Sequence, residues 1–507
     1  MSKTAVTGSL LSFAIDRASD KPLYHQLVTH LRNAIISGRL PVGTKLPSTR
    51  VFAHELDVSR ITVVQAFDAL QTEGLLVSHV GAGTFVTDEG ARTSKVLQKA
   101  APPRSDRNDI YPFRSLSRRG GRLVSSVRDD LSEPPRTFMP DIPDLREFPI
   151  KTWLRLLSEI SGRLKGEILV DTSNAGYEPL RMALSQHLRA SRGMQCEWQQ
   201  VIMTTGSQQS LHLICQMLTD PGDAIWLEEP GYVGTRSAIL GSAGSICPVP
   251  VDSQGLCVEA AIASHPVPRL IFVTPARQYP TGATLSQTRR EALMRFAHAS
   301  GAWIVEDDYD NEFHYVGHTP QAIHGMDKGA RTIHIGTFSK ILLPSFRLGY
   351  IVVPPDLAEA FEKGRAVVDR HASLVEQMVL SEFMNRGLLA SHIRRMRNLY
   401  RARQTQLIAG LQDILGADIA FTGTETGLHI TLPLTFDGDD VGLARQATQA
   451  NVVLRPMSPY YATRQRRNGL LLGFAAFNQR EIDEGLARLS SLGDNLKRHL
   501  SPSGWET

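Results

Sequence analysis

The sequence predicts a multidomain protein: a small α+β winged helix-turn-helix, then a large α/β domain with a mostly parallel sheet and a smaller α+β part behind it. Three observations predict this. Helical apolar spacing over residues 22–74 is followed by two short strand-like runs around glycines. A polar, aperiodic stretch from about Asp88 to Pro135 separates that region from the rest. From about Arg136 onward, short apolar strand candidates alternate with amphipathic helices. A length of 507 residues is also too great for one hydrophobic core. The predicted boundaries are 20–88 for the head, 89–135 for a linker and 136–500 for the rest, its large part about 170–375 and its small part about 376–500.

In the head, Leu23, Leu27, Leu31 and Ile35 recur about one helical turn apart after Pro22, and Gly38 stops the run. A second helix starts after Pro47 with Ser48 as its cap and runs to about Leu56; a third runs from Ser59 to just before Gly74. Leu75 to Ser78 and Thr84 to Val86 read as a hairpin around Val80-Gly81-Ala82-Gly83. On the third helix Val63, Phe67 and Leu70 face a core, which leaves Ser59, Arg60, Thr62 and Gln65 at the leading end of the other side. Short donors and an arginine there suit base edges and phosphates. Arg50 and the glycine-rich wing, Gly83 included, suit the sugar-phosphate backbone. From "PLYHQL" to "GAGTFV", with "GTKLPSTR" and "VSRITV" between, the head resembles the GntR-type winged helix. That resemblance implies double-stranded DNA as partner and Arg50, Arg60, Thr62 and Gly83 as leading contacts.

Composition bounds the rest. A hydrophobic fraction of 42% and a charged fraction of 21% argue against disorder and against a fibrous protein. A net charge of +4 is too small to imply nucleic-acid binding by itself. The four cysteines, Cys196, Cys215, Cys247 and Cys257, are too sparse for a disulfide framework. No stretch approaches the roughly 20 apolar residues of a membrane span, and the start of the chain has no leader pattern. A soluble cytoplasmic protein is expected. None of the 16 histidines stands in a metal-binding array, so no metal site is expected. The arginine-rich linker, with basic pairs such as Arg118-Arg119, would reach roughly 35 to 42 Å if flexible, and "YPFRSL" within it could instead pack on the large domain. That is close to the roughly 34 to 36 Å between half-sites one DNA turn apart.

In the large domain the strand candidates are Val201–Thr204, Ala224–Leu227, Leu270–Val273, Trp303–Val305, Thr332–Ile335 and Leu348–Val353. The loops behind them hold the chemistry. Gly206-Ser207-Gln208 opens a helix and offers backbone N–H groups to a phosphate. Glu306-Asp307-Asp308-Tyr309-Asp310 follows a buried strand. Lys340 ends Gly336-Thr337-Phe338-Ser339-Lys340, and Arg347 stands before the next strand. A dianion cradle, a carboxylate for a ring nitrogen and a lysine for a Schiff base, in that order, suit pyridoxal 5'-phosphate.

"NAGYEPLRMALSQHLRASRG", "TTGSQQSL", "EEPGY", "TPARQYPTG", "EDDYDNEF" and "GTFSKILLPSFRLGY" together resemble fold-type-I aminotransferases, and more closely the MocR/GabR-type regulators, from Pro22 to about Leu489. The resemblance makes Lys340 the Schiff-base lysine and Asp307 the partner of the pyridinium nitrogen. It places Tyr309 on the ring hydroxyl and Tyr232 against the ring face, with Gly206, Ser207, Gln208, Thr337 and Arg347 on the phosphate. Tyr279 stands before Pro280 where aminotransferases carry the asparagine that bonds the ring hydroxyl; it is counted among the cofactor residues, and Gln-Tyr there is usual in the regulators. Arg277 stands where many members have histidine. Arg455, Arg466 and Arg467 lie where an effector-carboxylate arginine would come from. The resemblance implies a homodimeric transcription regulator that senses an amine, an amino acid or pyridoxal phosphate through an aldimine at Lys340. The rival is an active aminotransferase carrying a DNA-binding head.

Overall fold

The computed structural model describes residues 22–36, 39–79, 82–87, 116–125, 136–162, 173–317, 319–327, 331–435, 437–463 and 466–501. Gly38, Val80, Gly81 and most of the 89–135 segment lie outside them. The chain divides into two compact units, Met1–Ile110 and Tyr111–Thr507.

In the first unit, α1 (Leu23–Ile36), α2 (Thr49–Glu55) and α3 (Arg60–Thr72) precede a hairpin of β1 (Leu76–His79) and β2 (Gly83–Val86). Ser48 and Ser59 cap α2 and α3 by accepting from the N–H of Val51 and Thr62, each cap worth about 1 kcal/mol. Leu27, Leu31, Phe52, Val63, Phe67 and Leu70 form one core, to which each fully buried side chain contributes about 1.5–3 kcal/mol. Arg32 of α1 pairs with Glu73 at the end of α3 and sets the first helix against the third. Both hairpin strands reach one residue nearer the tip than their apolar runs suggested, with His79 paired to Gly83.

The second unit opens with α4 (Arg118–Ser125), inside the stretch read as linker. Its two glycines read as a turn, yet Leu123 lies against the helix Val233–Gly241, and that packing holds a helix too short to show periodicity. Behind it come α5 (Glu178–Arg192), β3 (Val201–Thr204), α6 (Ser207–Leu218), β4 (Ala224–Glu229), β5 (Ser245–Asp252), β6 (Gly255–Leu256), β7 (Leu270–Val273), β8 (Trp303–Asp308), β9 (Thr332–Thr337) and β10 (Gly349–Val352). The sheet order is β3-β10-β9-β8-β7-β4-β5-β6. Strands β5, β4, β7, β8 and β9 pair in parallel, whereas β10 runs antiparallel to both β3 and β9, and β6 antiparallel to β5. Strand β5 escaped sequence reading because Pro248 and Pro250 interrupt its apolar alternation.

The reversed strand has a consequence for the site. It brings the entry of β10 beside the exits of β3 and β9, with Gly349 paired to both Thr204 and Thr337. Loops behind β3, β8 and β9 and the loop before β10 therefore meet at one sheet edge. The smaller part is built from α7 (Leu388–Leu415), the sheet β11 (His429–Pro433), β13 (Gly469–Gly473) and β12 (Arg455–Pro456), and α8 (Gln479–Ser490). Phe138, fully buried, joins this core from the far end of the sequence. Its carbonyl accepts from the Gly473 N–H, and the Thr137 carbonyl from Val453, so residues 136–141 lie along the smaller sheet.

Candidate cofactor site and DNA-reading helix

The cradle begins at Gly206, which adopts φ 108° and ψ 170° as it leaves β3 for α6. Only glycine enters that region without strain. A Cβ there would stand 3.0 Å from the Arg347 guanidinium, so Arg347 faces the N-terminus of α6. Backbone N–H groups, the helix dipole and a cation converge on that point, a composition that suits a phosphate. Thr337 contributes a hydroxyl bonded to that of Ser339, a residue sequence reading passed over although it adjoins Lys340. Ser207 and Gln208 occupy the first turn of α6, and Gln208 also donates to the Gly234 carbonyl.

Asp307 is the second part. It belongs to β8 itself, and the acidic run around it is buried and not a solvated turn. Burial, with Asp308, Glu228 and Asp310 nearby, pushes its carboxyl up to about 7. Among the described residues, its Oδ1 and the Tyr309 hydroxyl have no hydrogen-bond partner. Each such buried polar atom costs about 1–3 kcal/mol until something satisfies it. A protonated pyridine nitrogen supplies what Asp307 lacks, and a ring hydroxyl supplies what Tyr309 lacks. The Tyr232 hydroxyl lies within electrostatic reach of both Asp307 and Arg347. Glu306, by contrast, turns away: burial raises its carboxyl, but His334 and the N–H groups of Ile323 and His324 outweigh that and hold it at about 2.

Lys340 Nζ donates to the Asp141 carbonyl at 2.7 Å. Asp141 was not singled out from sequence, because it lies just past the predicted linker in no motif. Its Oδ2 accepts from the Tyr279 hydroxyl at 2.7 Å and from Arg455 Nη1 at 3.3 Å, and its Oδ1 lies 3.0 Å from His429 Nδ1. Tyr279 thus spends its hydroxyl on Asp141 and on Tyr460, 3.0 Å away, while its ring packs edge-on against Tyr232 and Tyr309. Arg277 is committed to Asp310 at 2.8 Å and to the His429 carbonyl at 2.6 Å. Of the three small-part arginines only Arg455 reaches these residues. Arg466 is exposed and donates to the Thr463 carbonyl, while Arg467 lies by Tyr461.

On the head, Arg50, Ser59, Arg60, Gln65 and Gly83 are exposed and Thr62 half-exposed. The Ser59 hydroxyl is engaged by the Thr62 N–H and hydroxyl, so it shapes the start of α3 as well as facing outward. Ile61 is 69% exposed at the same helix start, a position from which an apolar side chain could meet a thymine methyl. Sequence reading missed it because helical apolar residues are assigned to the core. Among the described residues no group of three or more His, Cys, Asp or Glu could hold a metal ion, and no helix is long and apolar enough to cross a membrane.

A reading helix and a lysine-bearing cofactor pocket on one chain define a regulator built on an aminotransferase fold. Residues 23–86 match the gntR family of bacterial regulatory proteins, and residues 146–489 the class I and II aminotransferases. The probable rhizopine catabolism regulatory protein MocR of Rhizobium meliloti is 36% identical over 481 residues, covering 94% of this chain and 95% of that protein. The pyridoxine biosynthesis transcriptional regulator PdxR of Corynebacterium glutamicum is 29% identical, over 92% of this chain and 94% of that one. In structure the second unit resembles LysN, the α-aminoadipate aminotransferase of Thermus thermophilus complexed with N-(5'-phosphopyridoxyl)-L-leucine. That match has 25% identity and a TM-score of 0.65 and covers 74% of this chain and 94% of that one. The chain belongs to the MocR-type helix-turn-helix transcriptional regulators, with pyridoxal phosphate as cofactor.

Proposed function

We propose that Lys340 and the pocket around it sense a small amine, an amino acid or pyridoxal phosphate itself, and that occupancy alters how the head engages an operator. The observation that carries this reading is the unsatisfied pair Asp307 Oδ1 and Tyr309 hydroxyl beside a lysine held at 2.7 Å on a backbone carbonyl. Bound pyridoxal phosphate supplies an electrophilic carbon to which Lys340 or an incoming amine attaches. In this reading Asp307 keeps a proton on the ring nitrogen, Tyr309 orients the ring, and Gly206, Ser207, Gln208, Thr337 and Arg347 hold the phosphate. Tyr232 covers the ring face, and Tyr279 acts through Asp141 and Tyr460.

Arg60, Thr62 and Gln65 would read base edges, while Arg50, Ser59 and Gly83 hold the backbone. The protein acts as a cytoplasmic homodimer whose two heads meet two half-sites; four free thiols fit a reducing compartment. Regulation, not turnover, is its task. Operator DNA titrated with and without candidate amines, on wild type and Lys340→Ala, tests this. Ligand and DNA binding should be coupled by about 1–3 kcal/mol in wild type only. An amine that shifts the cofactor absorbance and leaves affinity and footprint unchanged refutes amine sensing. Steady turnover with a panel of amino donors would instead establish an aminotransferase.

A further inference from the structure

We infer that Asp141 is a specificity-determining residue, an in-built carboxylate that holds Arg455, so that the pocket takes an amine carrying a hydroxyl or second ammonium group and no carboxylate. This rests on the amine-sensing reading above and names its ligand class.

The geometry is that of an occupied carboxylate site. Both oxygens of Asp141 are engaged, Oδ2 by the Tyr279 hydroxyl at 2.7 Å and Arg455 at 3.3 Å, and Oδ1 by His429 at 3.0 Å. Its own carbonyl receives Lys340, so this carboxylate stands one residue's width from the reactive amine. Asp141 adopts φ 69°, the left-handed region, and Phe138, φ 68°, anchors the approach in the core of the smaller part. The backbone is thereby committed to delivering this side chain. Burial raises its carboxyl, but His429, Lys340 and Arg455 outweigh that and hold it well below the usual range. His429 itself stays neutral, since burial and Arg277 press it down to about 4. Asp141 and Arg455 are then already paired, with Lys340 beside them.

A ligand carboxylate entering there meets a like charge on its own prospective cation, and like charges juxtaposed across a binding site reject the wrong partner. A hydroxyl or a second ammonium group meets an acceptor already in place.

The experiment uses the full-length, cofactor-loaded protein and three matched probes: 1,4-diaminobutane, 4-aminobutan-1-ol and 4-aminobutanoate. Affinities are read from the visible absorbance and, independently, by calorimetry. The two carboxylate-free probes should bind wild type at least about tenfold more tightly than 4-aminobutanoate. Asp141→Asn keeps a side chain that tolerates the left-handed backbone; it should erase or invert that ratio. Arg455→Gln, which removes the guanidinium from Asp141 and leaves its negative charge facing the ligand, should widen it, and it stands as the second variant if Asp141→Asn fails to load cofactor. Wild type preferring the carboxylate, or a ratio unchanged in both variants, overturns the role of Asp141 while leaving amine sensing intact. Silence of all three probes and of a wider amine panel, on protein that borohydride shows to hold its cofactor, overturns amine sensing and this inference with it.

Discussion

Asp307→Asn should stabilise the cofactor-free protein and weaken its hold on the cofactor, and the two effects have one cause. In the fold the carboxyl is pushed from its ordinary 3.8 up to about 7, by burial first and then by Asp308 and Glu228. That displacement is worth about 4 kcal/mol. The folded protein binds this proton more tightly than the unfolded chain does. Stability from Asp307 is therefore complete below about pH 4 and is lost as pH rises through about 7. Asparagine carries no such charge. Unfolding free energies from urea titrations of cofactor-stripped wild type and variant should nearly coincide at pH 4 and diverge by up to about 4 kcal/mol in favour of the variant at pH 8. Adding pyridoxal phosphate should narrow that gap, because the variant loses a charge-assisted bond worth about 1.5–3 kcal/mol, roughly tenfold or more in affinity. Parallel midpoints for the two proteins from pH 4 to pH 8 would refute the assignment of Asp307 as a carboxylate awaiting a cation.

Wild type loaded with pyridoxal phosphate should absorb as an internal aldimine and retain the cofactor's mass after borohydride reduction, whereas Lys340→Ala should show neither the aldimine nor the retained mass and still fold; equal retention by both removes Lys340 from the chemistry. Gly206→Ala forces a Cβ to within 3.0 Å of Arg347 in a backbone region that costs about 1–3 kcal/mol outside glycine, so cofactor affinity should fall while the midpoint of unfolding falls by a similar amount. Arg60→Ala should lose about 1–3 kcal/mol at one base pair, or about one unit of salt slope if it binds phosphate, as read by operator titration at several salt concentrations. Ile61→Ala, which removes no charge, should lower affinity at one thymine-bearing position with the salt slope unchanged; uniform affinity across substituted operators would exclude that contact.

Local physics made much of this protein legible from its residues. Ser48 and Ser59 cap their helices wherever the units sit, and Leu27, Leu31, Val63 and Phe67 announce a helical core through spacing. Gly206 at a strand-to-helix turn, Asp307 at a strand end and Lys340 behind Ser339 are likewise local patterns, so the cofactor residues stood out in order along the chain. What spacing could not carry was anything closed by distant partners. Helix α4 has two glycines and no period, and its contacts with a distant helix, Leu123 against Gly241 among them, hold it. Strand β10 reads like its parallel neighbours, and its reversal, which brings Arg347 to Gly206, follows from pairing across the sheet. Asp141 belongs to no motif at all. Its partners Tyr279, Lys340, His429 and Arg455 come from four separate stretches of chain, and a buried charge acquires meaning only from the groups the fold assembles around it.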